Sequence, residues 1–317
     1  LFRSGDRVLV CEAGKFGQRW SQIANKRGLW VDTLKYSWGE AISPRDVERH
    51  LRQHPDTAGV LVQASETSTG VLHPVRDIAR ITAESQALLV VDGISAVGVS
   101  PCPMDSWGID CLLTGSQKGL MLPPGLALIS LSERAWQQAE QTETDCFYFD
   151  LLQERDKIRQ GQTNFTTPVG LVLGLEAALD LFARTGLDRV YRTQWALTQM
   201  TRAGVRALGL EPFVEENYTW GLTSLLLPEQ VKGKSVIDRM AQDYNIYVAG
   251  GQEHLKGRMI RIAHMGHVDW SDLLAGLYAL ADILSRESSA PTPEPDFLEQ
   301  AMRAYHLAWQ DSLAGLD

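Results

Sequence analysis

Residues 88–125 constrain the chain most. They read LLVVDGISAVGV and then, from position 111, CLLTGSQKGLMLPPG. The apolar run 88–91 ends in Asp92. The run 111–113 ends in Thr114-Gly115-Ser116-Gln117, followed by Lys118. Short apolar runs bounded by turn residues read as buried strands of a parallel sheet. In open α/β sheets the chemistry gathers beyond the carboxyl ends of the strands, which puts a carboxylate and an amine at neighbouring strand ends. A lysine there becomes a nucleophile when burial or a nearby cation lowers its pKa. Either residue alone would read as a solvated loop end; the pair in this context carries more.

The pattern around these two runs repeats the same logic. Residues 7–11, 29–34 and 58–63 read as strands, alternating with helices over 16–27, 44–53 and 74–84. Ser43 is the expected N-cap of the second helix, with Pro44 at its first position. Such alternation predicts a mostly parallel sheet covered on both faces and ending near 126–131. After a polar, turn-rich stretch at 160–168 come two long helices, 169–184 and 188–208. Strands over 222–227, near Tyr247 and over 259–263, with helices over 235–244 and 270–286, predict a compact α+β unit. Residues 288–295, SSAPTPEP, are a linker by composition. A last helix over 297–314 places Leu298, Met302, Tyr305 and Trp309 at helical spacing, as a packing face does.

Four stretches, ASETSTGVLHP (64–74), VVDGISAVG (90–98), GIDCLLTGSQKGLMLPPGLALIS (108–130) and IRIAHMGHV (260–268), resemble the class V aminotransferases. Within them the likeness is to the alanine–glyoxylate and serine–glyoxylate (serine–pyruvate) transaminase group, and it runs from Gly5 to about Ser285. It implies an α/β architecture of the PLP-dependent transferase fold (aspartate aminotransferase-like, fold type I). A large domain with a mostly parallel sheet would span residues 1–165. Connecting helices and a smaller α+β C-terminal domain would span 166–287, with the linker and terminal helix over 288–317. The implied cofactor is pyridoxal 5'-phosphate (PLP), whose ring is the electron sink.

The same resemblance assigns roles. Lys118 would be the Schiff-base lysine and the base at the substrate Cα, and Asp92 the partner of the pyridine nitrogen. Thr67 would bond the phenolic oxygen, Phe16 (in AGKFGQRW) would stack on the ring, and Ser116 and Gln117 would donate to the phosphate. Thr163 and Thr166 match positions that reach the phosphate of a neighbouring subunit's cofactor, which implies a homodimer with shared active sites. Arg261 would grip the substrate carboxylate, although a strand arginine between Ile260 and Ile262 ordinarily faces solvent. Family members also carry a Gly/Ser-rich phosphate loop in a segment before this point. Residues 1–6 read as a helix tail and a turn, so the natural protein is expected to be longer.

Small amino acids such as alanine or serine and 2-oxo acids such as glyoxylate are the expected substrates. Two other readings stand beside this one. A cysteine desulfurase would have His before the lysine, where this chain has Gln117. A subunit role in a larger assembly is suggested by relatives labelled soluble hydrogenase small subunit. Thirty Lys+Arg against 39 Asp+Glu give a net charge of −9, which argues against nucleic-acid or anionic-membrane partners. No apolar run reaches the length of a membrane span, and a cytoplasmic location is expected. Cys11, Cys102, Cys111 and Cys146 show no metal-ligand spacing, and His264 and His267 form a lone HxxH, so no metal site is expected.

Overall fold

The computed structural model describes residues 1–143 and 146–311. Its first half alternates strictly: β1 (Arg7–Glu12), α1 (Lys15–Lys26), β2 (Trp30–Lys35), α2 (Pro44–Gln53) and β3 (Thr57–Gln63). A small hairpin of β4 (Ser65–Glu66) and β5 (Val71–Leu72) leads to α3 (Val75–Ala83), β6 (Leu88–Asp92), α4 (Met104–Trp107), β7 (Cys111–Gly115) and β8 (Ala127–Leu131). The main sheet has the order β2-β1-β3-β6-β7-β8. All its neighbours are parallel except β7 and β8, which turn back on each other at the edge.

Alternation along the strands builds two hydrophobic layers. Leu9, Cys11, Val60, Val62, Leu89 and Val91 face α2 and α3 and pack on Val47, Leu51, Ile78 and Ala79. Val8, Val10, Leu61 and Val90 face the other way, against Trp20 and Ala24 of α1. A sheet buried on both sides needs apolar residues at every position, which is why these strands read as continuous runs.

Helices α5 (Glu133–Gln141) and α6 (Leu151–Arg159) follow β8, and neither was anticipated from the sequence. Then come the long helices α7 (Val169–Thr185) and α8 (Leu187–Ala207). The last part holds β9 (Leu222–Leu226), α9 (Gly233–Tyr244), β10 (Ala249–Gly250), β11 (Met259–Ala263), α10 (Trp270–Ser285) and α11 (Phe297–Gln310). An antiparallel sheet β10-β11-β9 carries a separate core, in which Leu225 and Ile260 meet Met200, Met240, Leu277 and Leu280.

Some expectations are corrected. Residues 1–3 are not helical, although the turn at Ser4-Gly5 is present. Ser43 occupies the N-cap position, but its side chain caps nothing; its backbone N–H donates to Tyr36 Oη instead (3.2 Å). The stretch 288–295 is irregular yet tied down, with Glu294 N–H donating to Ala207 O (2.8 Å) and Ala290 packed on the core. In α11, Leu298, Met302 and Tyr305 pack on that core and Trp309 stacks on Tyr305; residues 312–314 of the expected helix lie outside the described residues.

One buried carboxylate fixes the β6–β7–β8 edge. Asp110 accepts hydrogen bonds from Leu89 N (2.8 Å), Ser132 Oγ (2.8 Å) and Arg134 Nε (3.0 Å). Ser132 in turn caps α5 by accepting from Ala135 N. Replacing Asp110 with alanine strands the buried Leu89 N–H and removes the Arg134 partner. The expected loss is about 3 kcal/mol, read as a lowered urea midpoint at unchanged slope; an unmoved midpoint would make the network dispensable.

Candidate active site

Three strand ends line up. Gln63 of β3 is in register with Asp92 of β6, and Asp92 with Leu113 of β7. The chain leaves β6 through Gly93, whose N–H donates to Leu113 O (2.8 Å), and leaves β7 through Ser116 and Gln117 into Lys118. The expected carboxylate and amine are therefore carried by adjacent strands of one sheet, beyond its carboxyl edge.

Asp92 is oriented from two sides. Trp20 Nε1 donates to Oδ2 (3.0 Å) and Ile94 N to Oδ1 (3.0 Å). Burial pushes its carboxyl above the usual range, and the Trp20 bond, the Ile94 bond and the Arg19 charge only partly offset this. Lys118 is half-buried. Its amine is held below the ordinary lysine value first by burial and then by the Arg261 cation.

Arg261 does not face solvent. Ile260 and Ile262 point into the core, and the intervening arginine emerges on the opposite face of the small sheet. There its Nε donates to Gly250 O (2.9 Å) and its Nη1 to Thr67 O (2.6 Å). Burial lowers its pKa and the charge of Glu66 partly restores it. Nη2 is uncommitted among the described residues, so half of the guanidinium fork remains for a ligand.

Glu66, which the sequence reading quoted within its motif but gave no role, organises this region. Its side chain is buried and accepts from the backbone of Phe16 (3.0 Å), Gly17 (2.9 Å) and Ser68 (3.1 Å), and from Ser68 Oγ (2.6 Å). It thereby satisfies the first N–H groups of α1, where the helix dipole favours an anion. Gly14 is required just before that helix because a Cβ there would fall 2.5 Å from the Glu66 side chain. Burial raises the Glu66 pKa against these bonds.

The remaining expected residues are placed as follows. Thr67 is buried, and its hydroxyl makes no hydrogen bond among the described residues. Phe16 is half-buried at the start of α1, with the Arg19 guanidinium over its ring at 5.2 Å. Ser116 is buried, and its hydroxyl donates to Pro123 O (2.7 Å) and accepts from Leu126 N (3.2 Å); its one proton is thus committed to the loop 116–126. Gln117 is exposed. Thr163 and Thr166 are exposed; Thr163 Oγ1 bonds Phe165 O (2.7 Å) and Thr167 Oγ1 (2.6 Å). Trp20 was missed, although it lies four residues after Phe16 in a helical pattern, one turn along the same face. The HxxH pair is not a unit: His264 is buried, with Gln194 and Thr223 as hydrogen-bond partners, and burial, followed by the Arg202 charge, pushes its pKa down to about 3, while His267 is exposed.

The chain is similar to several known proteins. A protein of Synechococcus sp. (strain PCC 6716) named "Soluble hydrogenase, small subunit" is 37% identical over 286 residues, covering 89% of this chain and 74% of the relative. The serine–glyoxylate aminotransferase of Methylorubrum extorquens is 33% identical over 285 residues, covering 86% and 71%. The crystal structure of alanine–glyoxylate aminotransferase from Nostoc sp. superposes with a TM-score of 0.85 at 30% identity, covering 89% of this chain and 76% of that one. The expected PLP-dependent transferase fold is borne out. Because the description Aminotransferase class-V fits residues 1–271 as one continuous match, the chain belongs to the class-V aminotransferases.

Proposed function

We propose that the chain, as a class-V aminotransferase, takes the amino group of a small amino acid, alanine or serine, and gives it to glyoxylate with PLP as cofactor. The observation that carries this reading is the half-buried Lys118 amine, its pKa depressed by burial and by Arg261, one strand away from the oriented Asp92 carboxylate.

The residues present fit the cofactor. Asp92 is a carboxylate whose pKa burial raises, and a protonated ring nitrogen beside it would favour its ionised form. Among the described residues the Thr67 hydroxyl makes no hydrogen bond, which leaves it for a phenolic oxygen, and Phe16 and Trp20 supply aromatic surface on one helix face. The N-terminus of α1 is already occupied by Glu66, and the Ser116 proton is committed. Phosphate contacts from the described part of this chain therefore fall to Gln117 and, across a subunit boundary, to Thr163 and Thr166. When bound, PLP supplies an electron sink for negative charge at the substrate Cα.

Everything else is done by side chains of this chain. Lys118, whose amine burial and Arg261 hold below the ordinary lysine value, would hold the cofactor through that amine and would take and return the proton at Cα. Arg261 uses its free edge to hold the substrate carboxylate, which fixes which Cα bond faces the lysine. The hydrogen bonds from Arg261 to Thr67 O and Gly250 O keep that edge still.

A second copy of the chain would complete the site. Helix α7, VGLVLGLEAALDLFART, is apolar on nearly every face, yet Val169, Leu173 and Leu179 are each at least half exposed. A helix apolar all round is ordinarily buried, and the segment carrying Thr163 and Thr166 leads directly into it. The hydrogenase name of one relative finds less support here. Cys11, Cys102 and Cys111 are free, and burial pushes each thiol up to about 12, the reverse of what thiolate ligation needs.

The deciding experiment is an absorbance titration of the protein with PLP. A visible band of lysine-bound cofactor should be bleached by L-alanine or L-serine and restored by glyoxylate; a band indifferent to both would sink the proposal. In Lys118→Ala the band and turnover should vanish with the fold intact by circular dichroism. Arg261→Ala should raise the KM for amino acids by about tenfold or more, since a charge-assisted hydrogen bond contributes about 1.5–3 kcal/mol; an unchanged KM would remove it from the substrate site. Sedimentation should find a dimer that Leu173→Glu converts to monomer with weakened PLP binding. A wild-type monomer with full affinity would refute the shared site.

A further inference from the structure

We propose that Asp32, His50 and His54 form a binding site for a divalent transition cation of the zinc type, at the edge of the main sheet. His50 and His54 lie one helical turn apart at the end of α2, so their imidazoles share a face; the ring centroids are 4.7 Å apart. Asp32 projects from β2 toward them, with its Oδ2 3.5 Å from His50 Nε2. One ligand atom from each of the three lies within 4.8 Å of the other two. A tetrahedral zinc with bonds of about 2.0–2.1 Å needs its ligands about 3.4 Å apart. Small side-chain rotations therefore close the site without moving the backbone.

The electrostatics favour a cation there. Burial, with the neighbouring His54 and Arg7, holds the His50 pKa below the usual histidine value against the pull of Asp32 and Asp56. Asp32 is shared with Arg7, whose Nη1 lies 2.7 Å from Oδ2. That arginine also bonds Asp56 Oδ2 (3.0 Å) and stacks over Trp30 at 4.6 Å, so it stays paired and in place when Asp32 turns to a metal. Asp32, Asp56 and Arg7 together leave one net negative charge beside the two imidazoles. Two imidazoles and one carboxylate, with a fourth position for water, suit zinc, copper or nickel and not magnesium or calcium. The site lies three strands from β6 and shares no residue with the Lys118 region.

The test is a titration of the untagged, full chain with Zn²⁺, read by calorimetry and by the melting temperature, with Co²⁺ as a spectroscopic substitute. The expected result is a single saturable site, a raised melting temperature and visible bands of tetrahedral cobalt. Each of His50→Ala and His54→Ala should weaken binding by at least about tenfold, since loss of even an outer-shell partner costs about that much, and should leave transamination unchanged. His54→Ala is the safer variant for folding, because it is the His54 carbonyl that accepts from Thr57 N (3.1 Å) and Oγ1 (2.7 Å). Absence of saturable binding, or undiminished binding in His54→Ala, would overturn the proposal, as would an equal melting shift with Mg²⁺.

Discussion

The candidate site depends on the carboxylate of Glu66 sitting in the N-terminus of α1. Left alone, the first N–H groups of that helix would be buried without partners, and the carboxylate would be a desolvated charge. Together they satisfy each other, and the union ties the 64–70 loop to α1. Three consequences follow. Phe16 and Trp20 are held on one helix face, Trp20 reaches Asp92, and the carbonyl of Thr67 is presented to Arg261. A single ion-to-dipole contact thus links the β3, β6 and β11 ends of the molecule. A second link crosses nearby, where Lys15 pairs with Glu253 and Trp38 packs edge-on against His254.

Burial shifts the reacting groups toward their neutral forms. Asp92 rises, while Lys118 and Arg261 fall, each with desolvation as the largest cause. A site in this condition favours a ligand that carries both signs of charge: a cationic ring nitrogen beside Asp92 and an anionic carboxylate beside Arg261 and Lys118. Opposite charges brought into partly dry surroundings restore the ionised forms and are felt more strongly there than in water. The desolvation that lowers the Lys118 pKa is thus the same effect that would make the proposed zwitterionic ligand welcome.

Much of the α/β half was legible because a sheet covered on both faces needs apolar runs with no alternation, and turn residues mark where each ends. Asp92 and Lys118 were legible for the same reason: a polar residue after such a run lies at a strand end. Long-range pairing was not. Nothing local to Glu66 says that it closes a helix fifty residues earlier, and nothing local to Asp110 says that it holds Ser132 and Arg134. Arg261 shows the limit of period-two reasoning. Alternation correctly set it opposite Ile260 and Ile262, but the other face of a three-stranded sheet is not solvent when a loop from the main sheet lies over it. Ser43 shows a second limit, since residue type at an N-cap does not ensure that the hydroxyl turns inward.

Helices α5 and α6 were illegible for want of a strong apolar stripe: α5 buries only alanines, and α6 has no buried residue. Helix α7 has the opposite character, with apolar residues all round and only Ala178 buried. Its sequence predicts a helix enclosed by protein, and the single chain does not enclose it. Phe147, Tyr148 and Phe149 are exposed on the same connection, with Tyr148 stacked on Phe165 at 4.3 Å. Aromatic and aliphatic surface on this scale is costly in water. The polar Thr163 and Thr166 interrupt this surface. The apolar cover this helix lacks is what the proposed second copy of the chain would supply.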